Sequence, residues 1–598
     1  MSKKVISFLL GTILTFFLIT KYNIDALVSI PILIASFIFI NFTIKKINKK
    51  NNKLTIILSI IMSILYVVCD SVQSTYTINI FNKYLLLNLS GYFIFFYLLF
   101  MNIFTFIDKY LKKEKEDNKV YIGNKEILST TKFSFMINFL LIFTINLIFL
   151  LKFYPGNLTY DSFNELSQVK GILPLMNNHS ILHTGILVLF IKFGMLFKSI
   201  NLGVFLYSLF QIIIVSLTFS YILYFLAKQS VPLIIRIISL GLFAFHPINV
   251  FYSFTIWKDV LFSCSFVIFT ILIYYLSKDT NFFMKKKNIL LFILFSLLVM
   301  YLRNNGVYVV LISLVIVYLL LRKKTVRILP VFISVILLFF TSKLIIFNAL
   351  DIKDFDSREM LSLPSQSISR IYKNNYDKLT KKEISEIEKF YNNKIGEVYN
   401  PIISDNTKNL LDGKYYLKHK KEYIKLNISL FKKYSKEYIE SFVSNSYGYY
   451  YVNTDYPSIM LQKSDLLGVK HKEILGNLAI YLILVFIFTL IGLVVLWNLK
   501  EKKNILLPGI LLPILLIIFN IKDYSIIKVF LNIGIYVFLT FICLVYNAKN
   551  KKNIIYYIPT IILWITILFS PVYSEFRYLY PLFLLIPIFI GLTFKAND

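Results

Sequence analysis

The sequence predicts an all-α, polytopic membrane protein with about sixteen transmembrane helices, and three observations carry that prediction. Of 598 residues, 57% are hydrophobic and only 16% charged, with a mean hydropathy of +0.69. A soluble chain of this length could not hide so much apolar surface. Apolar runs long enough to cross a bilayer recur from end to end. Between them sit lysine-rich runs, KKINKK at 45–50, KKEKE at 112–116, KKK at 285–287, RKK at 322–324, KEKK at 500–503 and KNKK at 549–552. Short basic loops beside spans mark the cytoplasmic side. The net charge of +32, from 64 Lys+Arg against 32 Asp+Glu, is therefore a sign of orientation. Membrane lipids are the expected partners, and no nucleic acid is.

In order, crossings expected at 4–20, 24–44, 54–73 and 84–107 form an N-terminal four-span region over 1–107. The opening MSKKVISFLLGTILTFFLIT has the charge and apolar run of a signal peptide but no small-residue cleavage site, so it reads as an uncleaved span. Residues 108–131 are expected as a charged cytoplasmic linker. Seven spans at 132–152, 203–227, 232–248, 260–277, 287–302, 306–321 and 326–347 form a module over 132–349, with a first outer loop at 153–202.

Within that loop, 181–197 is also apolar, but it is short and contains Lys192. Counted as a crossing, it would put KKK outside. Left uncounted, every lysine run falls inside, together with both termini. It is therefore expected as an amphipathic juxtamembrane or re-entrant helix on the outer face. Residues 350–472 are expected as a small, mostly helical cap on that face. It has helical stretches such as KKEISEIEKFYNNKI, and tyrosines near its end that favour the interface. Spans at 475–498, 504–521, 524–547, 553–570 and 578–595 complete a region over 473–598. Cys69, Cys264 and Cys543 show no CxxC spacing, so neither a disulfide framework nor a zinc site is expected.

This register places most of the unusual polar residues outside, in FYPGNLTYDSFNELSQVKGILPLMNNHSILH at 153–183, HPINVFYSFTIWKD at 246–259, LRNNG at 302–306, IKDYS at 521–525 and SPVYSEFRYLYP at 570–581. Asp161 and Glu165 are spaced i, i+4, so a helix opened by the Pro155–Gly156 turn puts both on one face. An acid there could deprotonate an acceptor hydroxyl, and the pair could hold a divalent cation through oxygen ligands. A solvated loop helix with ordinary acids accounts for the spacing at least as well.

His179 and His183 share the same spacing and could bind zinc, although HSILH lacks the Glu of a metalloprotease helix. Hydrogen-bonded interfacial histidines account for them equally. Lys258 and Asp259 open one span, with His246 ending the span before; Arg303 lies in the next outer turn, and Glu575 and Arg577 in the last. Cations outside run against the positive-inside bias. Several from separate turns fit a lipid phosphate or pyrophosphate, while each one singly is better read as a side chain snorkelling to headgroups.

In order and sidedness, YPGNLTYDSFNEL, NHSILHTGILVLFIKFG, FHPINVFYSFTIWKD, YLRNNG and SEFRYLYP resemble the GT-C superfamily of integral-membrane glycosyltransferases. Bacterial aminoarabinose transferases and protein O-mannosyltransferases belong to it. LPSQSISRIY and YNPIISD further resemble an uncharacterised bacterial subgroup with the same order of phrases. The resemblance implies the superfamily's seven-span module over 132–347. It also implies that Asp161 stands at the first-loop catalytic acid, and that His183 stands where related transferases have the His of PPLH, here SILH. Lys258 and Asp259 would approach the lipid phosphate or a metal, with Arg303 and Arg577 as further phosphate contacts.

The first loop has no DxD pair, so no metal requirement carries over. Glu165, His179, His183 and Asp259 stay as candidates for acid, metal or acceptor-orienting roles. The implied activity is transfer of a sugar from a polyprenyl-phosphate donor to an extracytoplasmic glycan, teichoic acid, lipid or protein. No Walker or Rossmann glycine motif occurs, as suits a donor without a nucleotide. A transporter or lipid-linked-sugar flippase is the competing reading. It predicts charge near mid-membrane and two matching halves, whereas charge here gathers at the outer ends of spans. A GT-C relative without catalysis, acting in envelope polysaccharide assembly, is a third.

Overall fold

The computed structural model describes residues 3–22, 26–45, 49–79, 83–112, 119–122, 125–323, 325–352, 357–452, 466–477, 530–569 and 572–595. The chain forms two compact units, one joining 1–115 with 362–447 and the other joining 116–361 with 448–595. The expected segment boundaries do not follow these units. Most of the polar block 350–472 is grouped with the N-terminal helices, and the rest with the module.

The first unit opens with α1 (Lys3–Tyr22), α2 (Ala26–Lys45), α3 (Lys49–Thr75) and α4 (Leu85–Lys112). On α4, Tyr92, Phe96, Phe100 and Phe104 recur every fourth residue, and their rings stack in one column about 6 Å apart. Asp70 of α3, partly buried between these apolar helices, accepts from the Tyr92 hydroxyl at 2.5 Å and pairs with Lys21 of α1, so its charge is neutralised in place.

The second unit begins in the expected linker with an antiparallel hairpin, β1 (Val120–Ile122) and β2 (Lys125–Ile127), which hydropathy did not reveal. It continues through α5 (Lys132–Lys152), α6 (Tyr160–Val169), α7 (Ile181–Leu196), α8 (Ile200–Lys228), α9 (Leu233–Phe245), α10 (Pro247–Phe254), α11 (Lys258–Lys278), α12 (Lys286–Leu302), α13 (Asn304–Leu321) and α14 (Ile328–Ala349). α9 and α10 meet at a bend of 47°. His246 sits before Pro247, which disfavours helical backbone at the preceding residue and is suited to a helix start.

Residues 362–447 return to the first unit as α15 (Ser362–Asn374), α16 (Lys381–Phe390), α17 (Asp405–Lys408), α18 (Gly413–Lys418), α19 (Lys420–Lys433) and α20 (Ser435–Ser446). KKEISEIEKFYNNKI is helical over α16, opened by a Thr380–Glu383 capping box, and ends at Phe390. Buried Arg370 of α15 donates from Nε to Glu437 at 2.7 Å and also pairs with Glu440 of α20. Glu440 in turn accepts from the Ile78 amide at 2.7 Å, which ties this block to the end of α3 within the same unit. Of the tyrosines near the end of the polar block, Tyr447, Tyr449 and Tyr451 are buried and Tyr450 is half-buried, and the Tyr449 hydroxyl donates to the Tyr573 carbonyl at 2.9 Å.

The second unit closes with α21 (Ile533–Lys549), α22 (Ile558–Phe569) and α23 (Tyr580–Phe594). α11 and the helical stretch leading into α23 lie at its centre, each 83% buried, whereas α14 is 28% buried on the outside. Nine helices among the described residues are long and apolar enough to cross a membrane, or ten if the bent α9–α10 pair is one span. With almost no sheet, the protein is an all-α polytopic membrane protein. Residues 478–529 lie outside the described residues, and with them nearly all of the expected crossing at 475–498, that at 504–521, the first six residues of 524–547, and the turn IKDYS.

α7 stays at one end of its unit. Its partners on α8, Gly203, Tyr207 and Phe210, all fall in the first half of that helix. Gly194 and Gly203 let the two backbones touch, since a Cβ at Gly194 would lie 2.3 Å from the Gly203 nitrogen. His183, Thr184, Leu187 and Ile191 are buried, while Leu189, Lys192, Phe193, Met195 and Leu196 are exposed, so each side of the helix carries both polar and apolar groups.

Candidate functional site

Two polar segments far apart in sequence are laced together at this end of the second unit. Asn157 donates its amide to the Phe254 carbonyl at 3.0 Å and accepts from the Ile256 amide at 2.9 Å. Ser162 Oγ donates to the Ile256 carbonyl at 2.6 Å, and the Trp257 indole donates to Thr159 Oγ1. Gly156 makes the approach feasible: its φ is +145°, and a Cβ there would lie 2.3 Å from Ser208 Oγ of α8. The result is that α6, carrying Asp161 at its start, is held beside Lys258 and Asp259 at the start of α11. The NNHS stretch is fixed in turn to the α12–α13 bend. Ser180 Oγ donates to the Tyr301 carbonyl at 2.8 Å, and Asn304 Nδ2 donates to the Asn177 carbonyl at 2.7 Å.

Arg577, in the turn Phe576–Leu579 before α23, is the hub of a charge cluster. Its Nη1 donates to Asp161 Oδ2 at 2.6 Å and lies 3.9 Å from Asp259 Oδ2, while its Nε pairs with Glu575. The rings of Trp257 and Tyr578 cover the guanidinium, with centroids 5.0 and 4.9 Å away. Arg303 lies 3.1 Å from Asp259 Oδ1 and 4.6 Å from the Tyr578 ring. Lys258 Nζ donates to the Asn178 carbonyl at 3.3 Å.

Burial alone would raise the Asp161 carboxyl, but Arg577, then Lys258 and His179, hold it well below the usual carboxylate range. Glu575 goes the other way, pushed up by burial in spite of Arg577. Burial and then Lys258 push the His179 imidazole down, and its Nδ1 is buried without a hydrogen-bond partner.

Glu165 does not join this cluster. Its Oε2 lies 2.6 Å from His183 Nδ1, and His183 Nε2 lies 2.5 Å from the Tyr207 hydroxyl. Tyr207 also reaches Gln211 Oε1 at 3.2 Å, and Gln211 Nε2 donates to the carbonyls of Tyr252, Ser253 and Thr255 at 3.1, 3.0 and 2.8 Å. Glu165, His183, Tyr207 and Gln211 are all buried. The chain pins α6 to α7, α8 and α10 and thereby positions Asp161.

Asp161 and Glu165 thus share a helix but not a ligand, because one carboxylate turns to Arg577 and the other to His183. The two carboxylates therefore do not form the shared cation site that their spacing allowed, and among the described residues no group of three or more His, Cys, Asp or Glu side chains is placed to hold a metal ion. His246 lies apart from the cluster, 3.1 Å from the Tyr536 hydroxyl.

Tyr207, Gln211 and Tyr578 were not singled out from sequence. The first two had a signal, being polar groups four apart inside an apolar span, where each needs a partner. His183→Leu is expected to destabilise the protein by about 3 kcal/mol, since it leaves the buried Glu165 with no partner. Tyr207→Phe should cost about 1 kcal/mol. Thermal unfolding of the reconstituted variants checks both, and equal losses would refute the ordering.

A family model matches residues 172–598, well over half of the chain. The chain belongs to DUF6020, a family of unknown function. The stretch matched to DUF6020 contains His179, His183, Lys258, Asp259, Arg303 and Arg577, while Asp161 and Glu165 precede it. No curated protein and no solved structure matches the chain.

Proposed function

We propose that this DUF6020 member is a GT-C-type membrane glycosyltransferase that moves a sugar from a polyprenyl-phosphate donor to an acceptor outside the cytoplasm. In this reading the chain crosses the cell membrane about sixteen times, with both termini in the cytoplasm and the charge cluster at the outer face. The observation that carries it is convergence: Asp161, Lys258, Arg303 and Arg577 come from four separate segments and meet in one cluster with Asp259. Snorkelling side chains would point apart, each to its own headgroup.

The acceptor hydroxyl oxygen attacks the anomeric carbon of the donor sugar, and its proton passes to Asp161. The bond from that carbon to the phosphate oxygen breaks, and the electron pair leaves with the lipid phosphate. Lys258, Arg303 and Arg577 stabilise the charge that develops there. The acceptor class is a cell-wall polysaccharide, teichoic acid, lipid or surface protein. Mass spectrometry of surface glycans from a strain lacking this protein should show loss of one sugar substituent. An unchanged glycan profile would count decisively against the transferase.

A further inference from the structure

We propose that the Asp161–Arg577 pair is a latch opened by the donor: the lipid phosphate takes the guanidinium, and Asp161 is freed as the base only then. The inference rests on the donor reading above and adds an order of events to it. Three carboxylates, Asp161, Asp259 and Glu575, face three cations, Lys258, Arg303 and Arg577, so the resting cluster is close to neutral. An incoming phosphate gains little from such a cluster unless a carboxylate gives way.

The structure indicates which one yields. Asp259 is 2% exposed and is shared between Arg303 and Arg577. Glu575 is two residues from Arg577 in the same turn and 14% exposed. Asp161 is the most open of the three, with 28% of its side chain exposed, and holds Arg577 through Oδ2. Because Trp257 and Tyr578 cover the guanidinium, an anion approaches along its nitrogen edge, where Asp161 now sits.

The consequence is chemical. A carboxylate paired to an arginine is a weak base, so with no donor bound the site does not activate hydroxyl groups or water. Once phosphate replaces it on Arg577, Asp161 loses its strongest counter-charge and becomes a better proton acceptor beside the newly bound sugar. The donor therefore binds first and prepares the base for the acceptor.

The test measures binding of farnesyl phosphate to the full-length protein in nanodiscs, with farnesol and inorganic phosphate as comparisons. Asp161→Asn should bind farnesyl phosphate about tenfold more tightly than the wild type, because the competing carboxylate charge is gone. Farnesol binding should be equal in the two. Equal or weaker farnesyl phosphate binding by the variant overturns the latch while leaving the donor reading standing. Tightening seen with inorganic phosphate alone overturns it as well. If neither protein prefers farnesyl phosphate to farnesol, the donor reading itself fails. Asp161→Ser reads the same way should the Asn variant not fold.

Discussion

Asp161→Asn is expected to slow sugar transfer by about 10³-fold, the scale of losing a positioned general base. Asn is close to Asp in size and can still accept a bond from Arg577 Nη1, so α6 keeps its place through the Glu165–His183–Tyr207 chain. The loss should therefore appear in kcat, with the donor still bound. Asp161→Glu, which keeps the carboxylate but shifts it by one methylene, should retain measurable turnover. Full activity in Asp161→Asn would remove this residue from the role of base. A strain carrying only that variant should also lose the same sugar as the deletion; loss in the deletion alone would point to a non-catalytic part in glycan assembly.

Arg577→Met should be the most damaging single change for stability, at about 3–5 kcal/mol, because it strands partly and fully buried carboxylates without their common counter-ion. Neutralising one of them should recover part of the loss, so Asp161→Asn combined with Arg577→Met is expected to be more stable than Arg577→Met alone. The pH dependence changes sign. In the wild type the Asp161 carboxyl is held below its ordinary value of about 3.9. Its contribution is thus present at neutral pH and disappears only as pH falls below that value, towards its folded pKa. Without the guanidinium, burial dominates and raises the carboxyls, as it already does for Glu575. Arg577→Met should then gain stability relative to wild type as pH is lowered from 7 towards 5. Unfolding measured across that range checks the sign, and a parallel pair of curves would refute the account.

How much of this was legible in the sequence depends on how local the signal is. Apolar runs are local, and the described helices recover most of the expected crossings, including the bend at His246–Pro247. The treatment of 181–197 as a segment that does not cross needed only the charge of the loops on either side, and the structure adds that α7 packs on α8 through Gly194, Gly203 and the His183–Tyr207 bond. Which of its residues pack on protein was not legible, because hydropathy does not say whether water, lipid or protein covers a side chain. The hairpin at 120–127 was hidden by its shortness, and the ties of the polar block were not legible because Arg370 meets Glu440 across 70 residues and Glu440 meets Ile78 across 362.

The candidate site divides in the same way. Residue type and spacing alone determined that Asp161 and Glu165 share a helix, that His179 and His183 lie in the same loop region, and that Lys258, Arg303 and Arg577 stand at the ends of apolar segments. Only the tertiary structure decided that Asp161 belongs to the arginine and Glu165 to the histidine, that Tyr207 and Gln211 complete the second chain, and that one guanidinium serves three acids. The physical reason is range. Helical periodicity acts over three or four residues, whereas a buried charge is settled by whichever counter-charge the packing brings within about 4 Å, wherever that group lies along the chain.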